Sequence, residues 1–269
     1  METLAEIGAW SVLAFGALLG VCQLVVHEVG FRVGRRVSAN VPPDGVGTVV
    51  GGILGLLAFV LALTLSFAST RFDERRSGTL AEANAIGTAW LRAQAIGHPR
   101  GLEIARLLET YIETRRDFVS AERKSAAIET LNDRSNRLQS TLWGHAAAIV
   151  RERSDPVAVS LATSLNDAFD AATATRFAYD LRLPPQLFWM LIGMTMTGMV
   201  ALGVQLGLRG RPLRPLVLLL VLMWTVVIVE ILDLAAPRAG AWRTSTDVYD
   251  WTLQGFRGGI SIPPAPPSR

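Results

Sequence analysis

The chain is poor in the residues that build chemistry. Its single cysteine, Cys22, lies inside an apolar run. An intramolecular disulfide is therefore impossible, and a thiolate metal site lacks a second thiol. The three histidines, His27, His98 and His145, fall in separate segments with no H-E-x-x-H spacing. There is no G-x-S-x-G elbow, Walker A loop or dinucleotide fingerprint. No catalytic residue, cofactor or metal ligand is expected, and no enzyme. Lys124 is the only lysine, and charged residues make up 18% of the chain. The net charge is +3, so the pI of about 9.6 reflects arginine standing in for lysine more than a basic surface. No basic block alternates with aromatics, which argues against a nucleic-acid partner.

What the chain has is apolar sequence in long runs. Half of its residues are hydrophobic and the mean hydropathy is +0.34. Uninterrupted runs of this kind indicate membrane spans and a lipid-bilayer partner. Four spans are expected, at about 7–26, 47–70, 187–208 and 215–234. The N-terminus, METLAEIGAW, is acidic and no A-x-A-like site follows it. The first run therefore reads as a retained span and not a cleaved signal peptide. The second run continues past the membrane without a proline, so residues 47–96 form one helix about 75 Å long at 1.5 Å per residue. A bilayer core takes up about 30 Å of that length.

Residues 71–183 read as an all-helical soluble domain of four helices, with no strand-like alternation and no low complexity. The first of them carries Ala83, Ile86, Trp90 and Ala93 toward a core, and Gly97-His98-Pro99 ends it. The second, about 100–124, places Leu102, Ala105, Leu108, Tyr111, Ile112 and Phe118 on its inner stripe. The third, about 125–153, uses Ile128, Leu131, Leu138, Leu142 and Ile149. Ser154-Asp155-Pro156 caps a fourth, about 157–181, with Val159, Leu161, Leu165, Phe169 and Ala172 inside. Pro184-Pro185 marks re-entry to the membrane. In the tail, 237–269, Trp242 and Trp251 suit an interface or a contact with the helical domain, and the Pro-rich end reads as disordered.

Several groups of residues are candidates for function. On the second span Gly47, Gly51, Gly55, Ala58, Ala62, Ser66 and Ser69 form a stripe of small residues. It suits either close helix packing or the wall of a pore built by the same helix from several subunits. Thr64, Ser66, Ser69 and Thr70 offer hydroxyls to water or ions in the second case. Arg71, Asp73, Glu74, Arg75 and Arg76 form a collar at the membrane exit, with pairs at helical spacing. Gln23 and Gln205 are amides within spans and suit a helix–helix hydrogen bond. Glu230, with Asp233 close behind, either reaches the interface or faces a water-filled cavity.

The two short loops share one side and carry Arg32, Arg35, Arg36, Arg209, Arg211 and Arg214. The positive-inside rule places them in the cytoplasm and the helical domain on the extracytoplasmic side.

The exit segment, LTLSFASTRFDERRSGTLAEANAIGTAWLRA, resembles the bacterial bestrophin-like family. An apolar helix leads into an S-[FM]-A-x-x-[RW]-[FY]-like exit, here residues 66–72. An EANAIGTAYLR-type helix follows, with Glu82, Asn84, Gly87, Thr88 and Arg92 as its polar and glycine positions. Leu232, Asp233, Pro237 and Gly240 are similar to the family's L-D-x-P-x-x-G pattern, with one residue more before the proline. The resemblance implies two spans, a helical insert and two spans in a bacterial inner membrane. Bestrophins proper are oligomeric anion channels whose second helix lines the pore. The resemblance thus implies a homo-oligomer that conducts ions through its second span. The chain departs from bestrophins in having no alignable pair of neck phenylalanines; Phe59 and Phe67 stand eight apart. A calcium-clasp-like acidic cluster is also missing. The alternative is a membrane-anchored sensor or scaffold that binds a partner or ligand through the helical domain.

Overall fold

The structure is a computed structural model that describes residues 12–37, 45–121, 125–153, 155–181, 183–238, 242–261 and 263. The acidic N-terminus, the start of the first span, the Pro42-Pro43-Asp44 turn, Ser154, Gly240 and most of the Pro-rich end lie outside the described residues. The described chain is helical throughout. In order it forms α1 (Val12–Val37), α2 (Val46–Ala95), α3 (Pro99–Ser120), α4 (Ser125–Glu152), α5 (Pro156–Asp180), α6 (Pro185–Leu208), α7 (Arg214–Ala235) and α8 (Asp247–Arg257). Four helical stretches are long and apolar enough to cross a membrane. They are α1, α2, the stretch Pro156–Leu208, whose apolar part is α6, and α7. The protein is a multi-pass membrane protein.

The helix ends follow their local chemistry. With no internal proline, α2 runs for 50 residues. It ends where Gly97 takes a left-handed φ of +65°. His98 then caps α3, its Nδ1 accepting from the Arg100 N–H at 3.1 Å. Asp155 caps α5 by accepting from the Ala158 N–H at 2.9 Å. Arg153 joins these ends. It donates to the Ile96 carbonyl at 3.2 Å and through Nε to Asp155 at 2.7 Å.

The chain divides into two compact units, Met1–Phe72 with Arg182–Trp242, and Asp73–Leu181 with Arg243–Arg269. In the first unit α1 and α6 lie side by side in parallel. Gly30 meets Val200 and Gly34 meets Val204, while Gly203 meets His27 and Phe31 and Gly207 meets Phe31 and Arg35. A Cβ at any of these glycines would stand 2.2–2.4 Å from a backbone carbonyl oxygen. This contact is backbone on backbone, with no side chain that can move aside. α7 runs against α1, with Gly16 near Val229 and Gly20 near Thr225 and Val221. Gln23 Nε2 donates to Thr225 Oγ1 at 3.0 Å, a hydrogen bond between α1 and α7. Gln205 lies beside Gly47 and so faces α2. The core of this unit includes Phe15, Leu57, Leu61, Met199, Val221, Trp224 and Ile228.

In the second unit α3 packs on α4, α4 on α5, and α8 on α3. The end of α2 supplies Ala83, Ile86, Trp90 and Ala93 to its core, as expected. Two expected core positions are corrected. Leu102 and Val159 are exposed. The buried sets are Gly101, Ile104, Ala105 and Leu108 on α3 and Ala158, Leu161, Leu165 and Ala168 on α5. At 3.6 residues per turn, each corrected leucine or valine falls off the stripe that its neighbours define.

Gly203→Ala is expected to lower stability by about 3 kcal/mol, the upper range for overpacking, because a carbonyl and not a rotamer must shift. Gly193→Ala on the same helix meets open space. It is expected to be neutral or stabilising by up to about 1 kcal/mol. Thermal melting of both variants in detergent, followed by circular dichroism, checks the contrast.

Candidate functional site

Most of the small-residue stripe of α2 is uncovered among the described residues. Among the described residues nothing lies within 4 Å of a Cβ built at Gly51 or Gly55. Ala58, Ala62 and Ser66 are exposed and Ser69 is half-buried. Gly47 meets another span, at Gln205 and Arg209. The span half of α2 is buried along one narrow strip of Val50, Leu57, Leu61, Thr64 and Ala68. Its apolar window is 17% buried, against 28–39% for the other three stretches. At about 100° per residue the remaining surface separates into two faces. One is the small stripe. The other is bulky and apolar, with Val49, Leu56, Phe59, Leu63 and Phe67 exposed. The buried strip, the small face and the bulky face lie roughly 120° apart around the axis.

Of the hydroxyls expected to meet water, Thr64 is corrected. It is buried and donates to the Val60 carbonyl at 2.8 Å, as a polar group in an apolar layer must. Thr70 is exposed and donates to the Ser66 carbonyl at 3.0 Å. The collar is also not uniformly a surface feature. Asp73, Glu74 and Arg76 are exposed, and the Arg71 guanidinium lies 4.8 Å from the centre of the Phe67 ring. Arg75, by contrast, is 1% exposed and interacts with Tyr179 in the second unit. Glu230 is half-buried, and Asp233 is buried.

The EANAIGTAWLR segment is the hub of the second unit. Glu82 is fully buried. Its Oε1 accepts from Arg115 Nε, and its Oε2 accepts from the Tyr249 hydroxyl at 3.0 Å and from Arg115 Nη2 at 3.4 Å. Nη2 of Arg115 also donates to the Ala172 carbonyl at 3.1 Å. The Arg115 guanidinium stands 4.6 Å from the Phe118 ring centre. One buried carboxylate thus ties together α2, α3, α5 and α8. Both its oxygens are engaged, so it is a fastening and not a poised acid. Gly87 leaves room for α8, since its Cβ would lie 3.4 Å from Thr252 Cγ2. Trp90 stacks on Phe256 at 4.6 Å and donates to Glu109 at 3.1 Å. Arg92 donates to the Ser160 carbonyl at 2.9 Å. Asn84 and Thr88 are exposed.

Burial works against the charge of Arg115. The Glu82 carboxylate outweighs it, with Tyr111 and Tyr249 adding to the same effect, and the guanidinium pKa is raised. Burial also pushes the Tyr111 hydroxyl up to about 12, and pushes Tyr249 well above its ordinary value with help from Glu82. Tyr111 accepts from Gln139 at 2.8 Å. Among the described residues, no three His, Cys, Asp or Glu side chains come together for a metal.

Residues 10–249 match the family pattern described as the bestrophin-like domain. The chain belongs to the bestrophin-like family. A crystal structure of a bacterial bestrophin homologue from Klebsiella pneumoniae, in a single-substitution variant, is 14% identical with a TM-score of 0.68. That match covers 92% of this chain and 98% of the other. A second structure of the Klebsiella pneumoniae homologue matches at 14% identity and a TM-score of 0.65, covering 93% of this chain and all of the other. A crystal structure of a membrane protein, in a single-substitution variant, matches at 14% identity and a TM-score of 0.66, covering 95% of this chain and all of the other. At this identity the likeness is one of fold. A comparison with curated proteins gives no match.

Arg115, Tyr249 and the glycines Gly30, Gly34 and Gly207 are the residues that sequence reasoning missed. Arg115 had a signal. It follows Tyr111 and Ile112 and precedes Phe118 at helical spacing, so a charge sat on an apolar stripe.

Replacing Glu82 by Gln or Arg115 by Met is expected to destabilise the second unit by about 3–5 kcal/mol, the cost of leaving one buried charge alone. Tyr249→Phe removes one charge-assisted hydrogen bond and is expected to remove about 1.5–3 kcal/mol. Chemical denaturation of the purified protein, followed by tryptophan fluorescence, ranks the three. The raised phenols also give a pH signature. Above about pH 10 the unfolded chain loses tyrosine protons. The folded chain keeps those of Tyr111 and Tyr249. Stability is therefore whole below pH 10 and falls toward pH 12, by up to about 1.4 kcal/mol per pH unit for each phenol. Ultraviolet titration of phenolate is expected to show these two ionising only as the protein unfolds.

Proposed function

We propose that this bestrophin-like chain forms a homo-oligomeric ion channel, with anions as the conducted species, whose conduit is lined by the uncovered side of α2. The observation that carries this reading is the uncovered small face. Among the described residues nothing lies near a Cβ at Gly51 or Gly55, and Ala58 and Ala62 are exposed. Small residues in a span are used where another surface comes close or where a path must stay open. The described residues of one chain leave this face uncovered, and copies of α2 around an axis satisfy it. The family resemblance supplies the anion and the oligomer.

The test combines stoichiometry with flux. In a Cys22→Ser background the protein is expected to purify as an oligomer and to release chloride from liposomes. Cysteines at Ala62 and Ser66 are expected to react with a water-soluble thiol reagent and block that flux. Cysteines at Phe59 and Leu63 are expected to react little. The reverse pattern assigns the bulky face to the conduit and the small face to contacts between copies. A monomer, or an oligomer without flux in either orientation, overturns the channel reading.

The second reading is a membrane-anchored scaffold or sensor. It rests on large exposed aromatics of the second unit, Trp143, Phe177 and Trp251. A stable protein partner captured by a chain that conducts nothing favours it.

A further inference from the structure

The parallel course of α1 and α6 brings their C-terminal ends to one level, and α7 starts there and runs back. This end of the first unit gathers Arg32, Arg35 and Arg36 from α1, Arg209 and Arg211 from the connection, and Arg214 from the start of α7. Among the described residues its acid is Glu28, which accepts from Arg32 Nε at 3.1 Å. Into this basic end opens a cavity of about 320 Å³, lined by Leu24, His27, Glu28, Phe31, Pro212, Arg214, Val217 and Leu218. The volume is at the lower end of the roughly 300–1,000 Å³ of small-molecule sites.

Three features of the cavity point to one class of occupant. Its apolar wall reaches the surface at Leu24 and Leu218, both exposed on spanning helices. That exposure is to lipid, so a chain can continue from the cavity into the bilayer. Its polar side holds His27, which is 5% exposed and whose Nε2 has no hydrogen-bond partner among the described residues. A buried ring nitrogen left unpaired is costly and is satisfied by a hydroxyl or ester oxygen. Arg214 adds a guanidinium fork suited to phosphate, at the first residue of a helix with no side-chain cap. Because Glu28 is already met by Arg32, the charge that Arg214 presents to the cavity remains positive.

We propose that this cavity seats the headgroup of an anionic phospholipid of the phosphatidylglycerol class. Arg214 takes the phosphate, His27 hydrogen-bonds a headgroup oxygen, and Leu24 and Leu218 carry the first part of an acyl chain. Basic pockets between spans are suited to such headgroups. This site does not depend on whether the protein conducts.

The full-length protein in neutral detergent is titrated with phosphatidylglycerol, phosphatidylcholine or inorganic phosphate, and bound molecules are counted by native mass spectrometry. Saturable retention of one phosphatidylglycerol per protomer is expected. Arg214→Ala is expected to weaken it about tenfold, the loss of one charged hydrogen-bonded contact. Arg214→Lys is expected to recover part of it, and Arg36→Ala, at the same end but outside the cavity, to leave it unchanged. Melting without added lipid shows that the variants remain folded. The proposal is overturned if wild type and Arg214→Ala retain phosphatidylglycerol equally, or if Arg36→Ala loses as much. It is also overturned if phosphatidylcholine is held as tightly, or if inorganic phosphate binds and lipid does not.

Discussion

Two helix backbones in contact, with no side chain between them, set the architecture of the first unit. Lipid tails are as apolar as leucine, so no hydrophobic force draws spans together, and close packing must do it. At Gly30, Gly34, Gly203 and Gly207 the approach is close enough for each glycine to lie against a carbonyl of the other helix. Such contacts allow weak Cα–H···O attraction along with dispersion. The parallel sense of α1 and α6 has a topological consequence. α2 and α7 each follow one of them and run back, so both short connections lie at the same end. The arginines collect there because the glycines dictate which helix ends meet.

The second unit solves a different problem. Its core is apolar in bulk, yet a carboxylate sits at its centre. An apolar replacement for a buried ion pair is often as stable or more so. What Glu82 adds is directional. Arg115, Tyr249 and the Ala172 carbonyl must all come to fixed positions for the charge to be met, and each belongs to a different helix. Stacking of Phe256 on Trp90 holds α8 at a second point, and Asp250 accepts from Arg116 at 3.0 Å at a third. The tail helix is therefore part of the fold of this unit.

Much of this was legible in the sequence and some was not, for physical reasons. The long α2 helix was visible because no proline interrupts it, and its observed bounds, Val46–Ala95, differ from the expected 47–96 by one residue at each end. The end of α2 at Gly97-His98-Pro99 and the cap at Asp155 were visible as turn chemistry, whereas His98 as the cap of α3 was not. The small stripe was visible as a pattern, but its role was open between packing and pore, because periodicity cannot tell which helix occupies a groove. The glycines that do pack, on α1 and α6, follow the same spacing and carried no extra mark. Glu82 stood out through the family resemblance, but its partner Arg115 lies 33 residues away and Tyr249 lies 167 away. Local pattern does not report pairings at such separations. Leu102 and Val159 were misplaced because hydrophobicity alone assigned them, against the phase set by their own helices.

The three faces of α2 can be weighed against one another on physical grounds. A span that meets only lipid on its free side has no reason to divide that side, since leucine, valine and phenylalanine serve it everywhere. α2 instead confines bulky residues to one face and keeps glycine, alanine and serine on the other over five turns. Glycine in a helix interior costs about 1 kcal/mol relative to alanine. On the small face Gly51 and Gly55 bear that cost without relieving any clash among the described residues. In the proposed assembly the compensation comes from what approaches this face from outside the single chain. Lipid gains nothing from the missing side chains. Another copy of α2 or a file of ions and water does, which is why the face argues for assembly before it argues for conduction.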